Sequence, residues 1–195
     1  MKDLCRLVAV TIVVAACGAS RAPESPDAGI PGDDIIGGDV GSPPVVEDPL
    51  LAAPRCSSGA TRDPNESEGP EMMPGRACNE CHASTNAASG EGDAPIFAAA
   101  GTLYPSGHEP DDCIGSATAS AVVVVTGADG VSHEATANKV GNFFLEDLTL
   151  AMPIRARVIY KGRTREMKTP QTSGDCNHCH TPAGREAAPG RIVLP

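Results

Sequence analysis

The chain has 195 residues, a formal net charge of −10 and only 3% aromatic residues, with 21 glycines, 18 prolines and no tryptophan. This composition excludes a large packed interior, so we expect one small domain with loop-like or disordered flanks. The acidic balance argues against nucleic acid as a partner, because phosphate binding needs clustered Lys and Arg.

Residues 1–17 have the parts of an export signal. Lys2 and Arg6 supply positive charge, and residues 7–16 form a run that is apolar apart from Thr11. The run is too short to span a membrane as a mature helix, but it has the length of a signal-peptide core. We therefore predict that the chain is exported.

The apolar run ends in Val14-Ala15-Ala16-Cys17, which resembles the lipobox of bacterial lipoproteins. The resemblance implies that Cys17 carries lipid and becomes the mature N-terminus, and an ordinary secretory signal is the alternative. Position 18 is Gly rather than Asp, the residue that retains some lipoproteins at the inner membrane. The resemblance therefore implies a lipid anchor in the outer membrane, with the protein in the bacterial periplasm or at the cell surface.

The next segment, residues 18–55, is rich in Pro, Gly, Asp and Ala and shows almost no periodicity. Such a segment buries too little apolar surface to fold by itself. We expect a disordered linker that tethers the following domain at a distance from the membrane.

Residues 56–97 contain the first segment with cofactor chemistry, Cys78-Asn79-Glu80-Cys81-His82. Cys-x-x-Cys-His is the attachment signature of c-type haem. The two intervening residues let both sulfurs reach one porphyrin edge, and the His becomes the proximal iron ligand. We expect a short irregular segment around this motif.

A β-rich module follows over residues 98–170. Asp129-Gly130 is a hairpin turn pair between the β-branched residues 121–126 and residues 131–136, which would pair back, and residues 154–160 alternate with period two. We find six candidate strands and no convincing helix, so we predict a mainly β fold, a small antiparallel β-sandwich. The candidate strands are 98–104, 121–126, 131–136, 142–145, 154–160 and 163–168.

This module resembles the carboxypeptidase regulatory-like family. The resemblance lies in Ala121-Val122-Val123-Val124-Val125, the Asp129-Gly130 turn, Gly141-Asn142-Phe143-Phe144-Leu145 and Ala156-Arg157-Val158-Ile159-Tyr160. It implies a transthyretin-like β-sandwich that serves as a scaffold and is not an enzyme. A Ser-His-Asp set, a carboxylate pair and a phosphate-binding loop are likewise not evident in the sequence.

The last segment, residues 171–195, contains the second copy of the motif, Cys176-Asn177-His178-Cys179-His180. Both motifs flank the β module closely, and the two ends of a domain often lie near each other. We therefore expect the motifs to meet at one end of the module, where two haems would exchange electrons directly. The hypothesis is electron transfer by a membrane-tethered di-haem c-type lipoprotein that serves redox protein partners.

The eight cysteines can all be assigned. Cys5 leaves with the signal, Cys17 would carry lipid, and four belong to the motifs. Cys56 and Cys113 remain, and an exported protein meets an oxidising environment. We predict a Cys56–Cys113 disulfide, with free thiols as the alternative.

The four motif cysteines, Cys78, Cys81, Cys176 and Cys179, also allow other chemistry. Paired Cys-x-x-Cys is a zinc signature, and two local disulfides are conceivable. Zinc does not require the His that follows each pair, and here both pairs have it. The alternative function is a non-catalytic structural or binding lipoprotein module with zinc or disulfides at these positions.

The proximal iron ligands would be His82 and His180, and the distal ligands are open. No Met or His follows His180, which excludes the usual downstream Met for the second haem. Residues 83–95 are small, polar or acidic apart from Pro95, so we expect exposed haems. The distal candidates are His108, His133 and His178, with Met72, Met73, Met152 and Met167 as the fallback.

Overall fold

The structure is a computed structural model that describes residues 48–65 and 68–195. The predicted export signal, the lipidation site Cys17 and residues 18–47 of the predicted linker lie outside the described residues. In the two described ranges, no helix has the length and apolar character needed to cross a membrane.

Seven strands form two sheets, which confirms the prediction of a mainly β fold. A three-stranded sheet has the order β4-β1-β7, and a four-stranded sheet has the order β3-β2-β5-β6. The strands are β1 (Ala99–Tyr104), β2 (Val122–Thr126), β3 (Ser132–Thr136), β4 (Asn142–Leu145), β5 (Arg155–Tyr160), β6 (Arg163–Glu166) and β7 (Ile192–Val193). The six candidate strands from the sequence correspond to β1 to β6.

The core lies between the two sheets. Val123 and Val125 of β2 and Val158 of β5 face inward from the larger sheet, because residues two apart on a strand share a face. They pack against Leu103 of β1 and Phe143 of β4. The β-branched run that predicted β2 therefore supplies the centre of the sandwich.

Two features differ from the predicted architecture. The first motif opens a helix, α1 (Cys78–Ser89), where an irregular segment was expected. The sheets are also not wholly antiparallel, because β7 pairs with β1 in parallel. The physical reason is the same for helix α1 and for strand β7. The residues that contact and order these segments are distant in sequence, so no local sequence pattern predicts either element.

A disulfide joins Cys56 and Cys113, whose Cα atoms are 5.3 Å apart. It connects the segment before the first motif to the loop after β1. The second motif forms a single helical turn, α2 (Cys176–Cys179). The C-terminal segment, residues 181–195, then returns to β1 through β7.

Candidate functional site

Helix α1 is held against the segment that follows it by paired amide contacts. The Asn79 side chain donates to the Phe97 carbonyl at 2.8 Å and accepts from the Phe97 N–H at 2.9 Å. Asn86 makes the same pair of bonds with Ala94, at 2.8 and 2.9 Å. Residues seven apart lie on one helix face, so the returning chain runs along that face. The helix ends at Gly90, which adopts a left-handed conformation.

His82 lies on the same face of α1, between these two amide pairs. Its Nδ1 is 2.5 Å from the Pro95 carbonyl oxygen, and the residue is 8% exposed. The Phe97 ring lies 5.4 Å from the imidazole, centre to centre. Because a carbonyl oxygen only accepts, Nδ1 carries the proton, and in the neutral ring Nε2 is then the nitrogen with the free lone pair.

His180 repeats this arrangement in the second motif. Its Nδ1 is 2.8 Å from the Gly190 carbonyl oxygen. Burial lowers the pKa of His180, which favours the neutral ring. A ring nitrogen held by a carbonyl is the usual second contact of a metal-binding His. Both motif histidines therefore present Nε2 as the atom available for iron.

Asn177 fixes the second motif to the edge of β1. Its Oδ1 accepts from the Thr102 N–H at 3.1 Å, and its Nδ2 donates to the Arg76 carbonyl at 2.9 Å. The side chain thus occupies the place of a strand, between the backbone bridge at Ala100 and the first residue pair of β7. Close approach requires Gly101, since a Cβ there would lie 3.0 Å from the Cβ of Cys176.

The two motifs lie against each other, as the sequence predicted. Asp175, directly before the second motif, accepts from the N–H groups of Cys78 at 3.1 Å and Glu80 at 3.0 Å. Its carboxylate therefore caps the N-terminus of α1, where Ala77 offers no side-chain acceptor. His178 adds a contact, with Nδ1 3.2 Å from Oε2 of Glu80.

The four motif cysteines are free, half-buried thiols. Burial raises the pKa of Cys78 and of Cys176 to about 12, and Asp175 adds to both shifts. Burial also raises the pKa of Cys179, with Glu186 contributing. The thiols of Cys78, Cys176 and Cys179 therefore stay protonated at neutral pH.

The arrangement does not fit the alternative of a shared zinc site. Within residues 48–65 and 68–195, no three His, Cys, Asp or Glu side chains converge so as to hold a metal ion. A four-cysteine zinc site requires all four sulfurs at one point. Attachment of c-type haem requires only two thiols and one His at each motif, and both motifs offer that set.

A cavity of about 960 Å³ opens beside the second motif. One wall comes from the motif itself and from the C-terminal segment, and another from β5, β6 and the residues that follow β6. This volume lies at the upper end of the range for cofactor and ligand sites. His180 and the cysteines of the second motif line it, so the second motif faces a cavity that is partly open to solvent.

The distal candidates fall in different places. His108 has Nδ1 2.6 Å from the Pro182 carbonyl and Nε2 2.8 Å from the Leu50 carbonyl, so both ring nitrogens are engaged. His133 lies on β3, at the edge of its sheet opposite to β6. His178 and Met167 line the cavity together with His180. Of the other methionines, Met72 and Met73 are half-buried and Met152 is exposed.

Three positioning residues escaped the sequence reasoning: Asp175 and the two motif asparagines, Asn79 and Asn177. The asparagines carried a usable signal, because both motifs have Asn directly after the first Cys. Asp175 could not be identified in the same way. An N-cap residue normally lies directly before its helix, whereas Asp175 lies almost a hundred residues after the start of the helix that it caps.

Comparisons with family models, with curated proteins and with solved structures found no match to this chain.

Proposed function

We propose that this chain is a di-haem c-type electron carrier, exported and tethered by lipid at Cys17 to the bacterial outer membrane. The β-sandwich acts as the scaffold, similar to a carboxypeptidase regulatory-like module, and the chain is not an enzyme. Its partners would be redox proteins, and its acidic charge of −10 suits a cationic partner surface.

One observation carries the proposal. In both motifs a backbone carbonyl lies within hydrogen-bond distance of Nδ1 of the His, 2.5 Å at His82 and 2.8 Å at His180. A disulfide, or a zinc site made of the four cysteines, does not require a neighbouring imidazole held in this orientation. The same orientation at two sites supports iron as the intended partner of both rings.

The contacts between the motifs support electron exchange between them. Asp175 and the His178–Glu80 contact hold α1 and α2 together through the backbone and side chains of both motifs. When bound, haem would supply an iron that gains and loses one electron. The role of this chain is then to fix two such groups at close range and to orient their proximal ligands.

The test is production of the full chain in a bacterial host with c-type haem maturation machinery. We expect a mass increase of two haems per chain and an α-band on reduction. Paired replacement of Cys78 and Cys81 by Ala should remove one haem, and the same change at Cys176 and Cys179 should remove the other. Cys17→Ser should release the protein from the membrane fraction.

Each outcome decides between the two function classes. An apo mass without an α-band would rule out the cytochrome, and one bound zinc per chain would favour the structural module instead. Continued membrane attachment of the Cys17→Ser variant would refute the lipid anchor while leaving the haem result unaffected.

A further inference from the structure

We infer that the cavity beside the second motif is a porphyrin pocket in which Arg165 binds a carboxylate of the macrocycle. The inference rests on the proposed function, because it assigns a place to the second haem. Four observations carry it: the size of the cavity, its apolar wall, the buried Nε of the otherwise partly exposed Arg165 and the unequal distribution of charge around the lining.

The apolar wall comes from the larger sheet. Ile154, Ala156 and Val158 line the cavity and belong to or pack against the buried core. Cys176, Cys179 and His180 of the second motif belong to the same lining. A flat apolar macrocycle that is bonded to the two sulfurs would thus find apolar cover in the same cavity.

Arg165 projects from β6 into this space. It is paired with Val158 in the sheet register, and directly paired residues share a face, so the arginine points to the core side. Its Nε is buried and has no hydrogen-bond partner in the part of the chain that the structure describes. Its Nη2 lies 4.0 Å from Oδ1 of Asp48, the limit of an ion pair. A buried guanidinium nitrogen without a partner costs free energy, which a bound carboxylate would offset.

Charge is distributed unequally around the cavity. The wall formed by β5, β6 and the residues that follow carries three cations, Arg157, Arg165 and Lys168, and one carboxylate, Glu166, with Asp48 near Arg165. The motif side carries three carboxylates, Glu80, Asp175 and Glu186, and one cation, Arg191. In haem the two carboxylates lie on the opposite edge from the vinyl groups that bond the cysteines. A haem held by Cys176 and Cys179 would therefore extend its carboxylates away from the acidic side, towards the cationic wall.

An inward charge on an edge strand has another explanation. β6 is the edge of its sheet, and such charges discourage pairing with another chain. That role needs a charge but no ligand, so it predicts no effect of Arg165 on porphyrin binding. The two explanations differ in a measurable quantity.

The test uses the full chain with Cys78, Cys81, Cys176 and Cys179 replaced by Ala, so that no covalent bond can form. It is titrated with iron(III) protoporphyrin IX and with the dimethyl ester of this porphyrin, which lacks free carboxylates. We expect Arg165→Gln to weaken binding of the diacid about tenfold, the loss of one charge-assisted hydrogen bond, and to leave the ester within about twofold.

Arg163→Gln is the matched control, because Arg163 is exposed, lies on the same strand and carries the same charge. It should change neither affinity by more than about twofold, since exposed charges contribute little. Arg165→Lys keeps the charge but lacks the planar guanidinium group. Its affinity for the diacid should therefore lie between the affinities of the unaltered arginine and of Arg165→Gln. This variant decides the question if Arg165→Gln does not fold by circular dichroism.

Equal affinity of the Arg163→Gln and Arg165→Gln variants for the diacid would overturn the inference, as would an equal loss for diacid and ester. Absence of porphyrin binding in the chain without the four motif cysteines, with two haems attached to the unaltered chain, would refute the pocket and leave the proposed function standing. If porphyrin binding depended on Arg165 but no haem became covalently attached in the maturation host, the pocket would stand and the proposed function would be refuted.

Discussion

The two motifs have the same pattern, Cys-Asn-x-Cys-His, but the fold treats them differently. The first opens the 12-residue helix α1, which is mostly exposed beyond His82. The second is a four-residue turn seated on β1, with Asn177 only 2% exposed. The pattern therefore sets the chemistry of each site, while the surroundings set its structure.

The segments around the motifs explain this difference. In the chain before the first motif, the Arg76 side chain makes a partly exposed ion pair with Asp112, and the neighbouring Gly75 carbonyl accepts from Arg191. The chain after the second is held by Arg191, which is 1% exposed and bonds the carbonyls of Glu109, Gly75 and His180. The second motif thus belongs to the domain core, and the first is attached to it.

The largest expected effect comes from Arg191→Met. Arg191 also pairs with Asp111, and its guanidinium lies 5.0 Å from the centre of the Tyr104 ring. The substitution leaves three carbonyl groups without their donor, so we expect a loss of about 4 kcal/mol in the free energy of unfolding. Urea unfolding of the full chain, followed by circular dichroism, measures it.

Arg76→Met is the matched control on the first motif. Arg76 is 48% exposed in its side chain, and solvent can replace its ion pair. We expect a loss below about 1 kcal/mol. Similar losses for the two arginines would contradict the view that only the second motif belongs to the core.

The next test compares the two asparagines at the same place in the motif. Asn177→Ala leaves the buried Thr102 N–H without its acceptor, and we expect a loss of about 2–3 kcal/mol. Asn79→Ala frees the N–H and carbonyl of Phe97, which is half-buried and can meet water, so we expect about 1 kcal/mol. Thermal and urea unfolding of both variants give the comparison, and a larger loss at Asn79 would reverse our ranking.

The strands could be predicted because their signals are local. Period-two alternation, the β-branched run of β2 and the Asp129-Gly130 turn all act within a few residues. The Cys56–Cys113 disulfide followed from accounting for the cysteines. Helix α1 could not be predicted, since its cap, Asp175, lies 95 and 97 residues from the N–H groups that it accepts.

The cysteines and histidines of the site could be predicted from the sequence, but the cavity around them could not. The cysteines and histidines were identified from the pattern, and their proximity from the two ends of the module. The cavity depends on the register of β6, which turns Arg165 inward opposite Val158. The sequence shows Arg163-Thr164-Arg165 as alternating with no apolar face, so it cannot reveal which side meets the core.

The smallest expected effect is the pH dependence of the ion pair between Arg76 and Asp112, next to the first motif. The hydrogen bond from Arg76 holds the pKa of Asp112 below its usual 3.8, with a further hydrogen bond from Arg62. A depressed carboxyl pKa stabilises the fold above pH 3.8, and this contribution is lost as the pH falls through the folded value. Asp112→Asn should therefore cost under about 1 kcal/mol at pH 7 and less at pH 2, where more of the wild-type carboxyl is protonated. Urea unfolding of both chains at the two pH values measures this difference. If the cost of Asp112→Asn stayed the same at both pH values, the ion pair would not be what secures this segment, and the contrast with Arg191 would have to rest on burial alone.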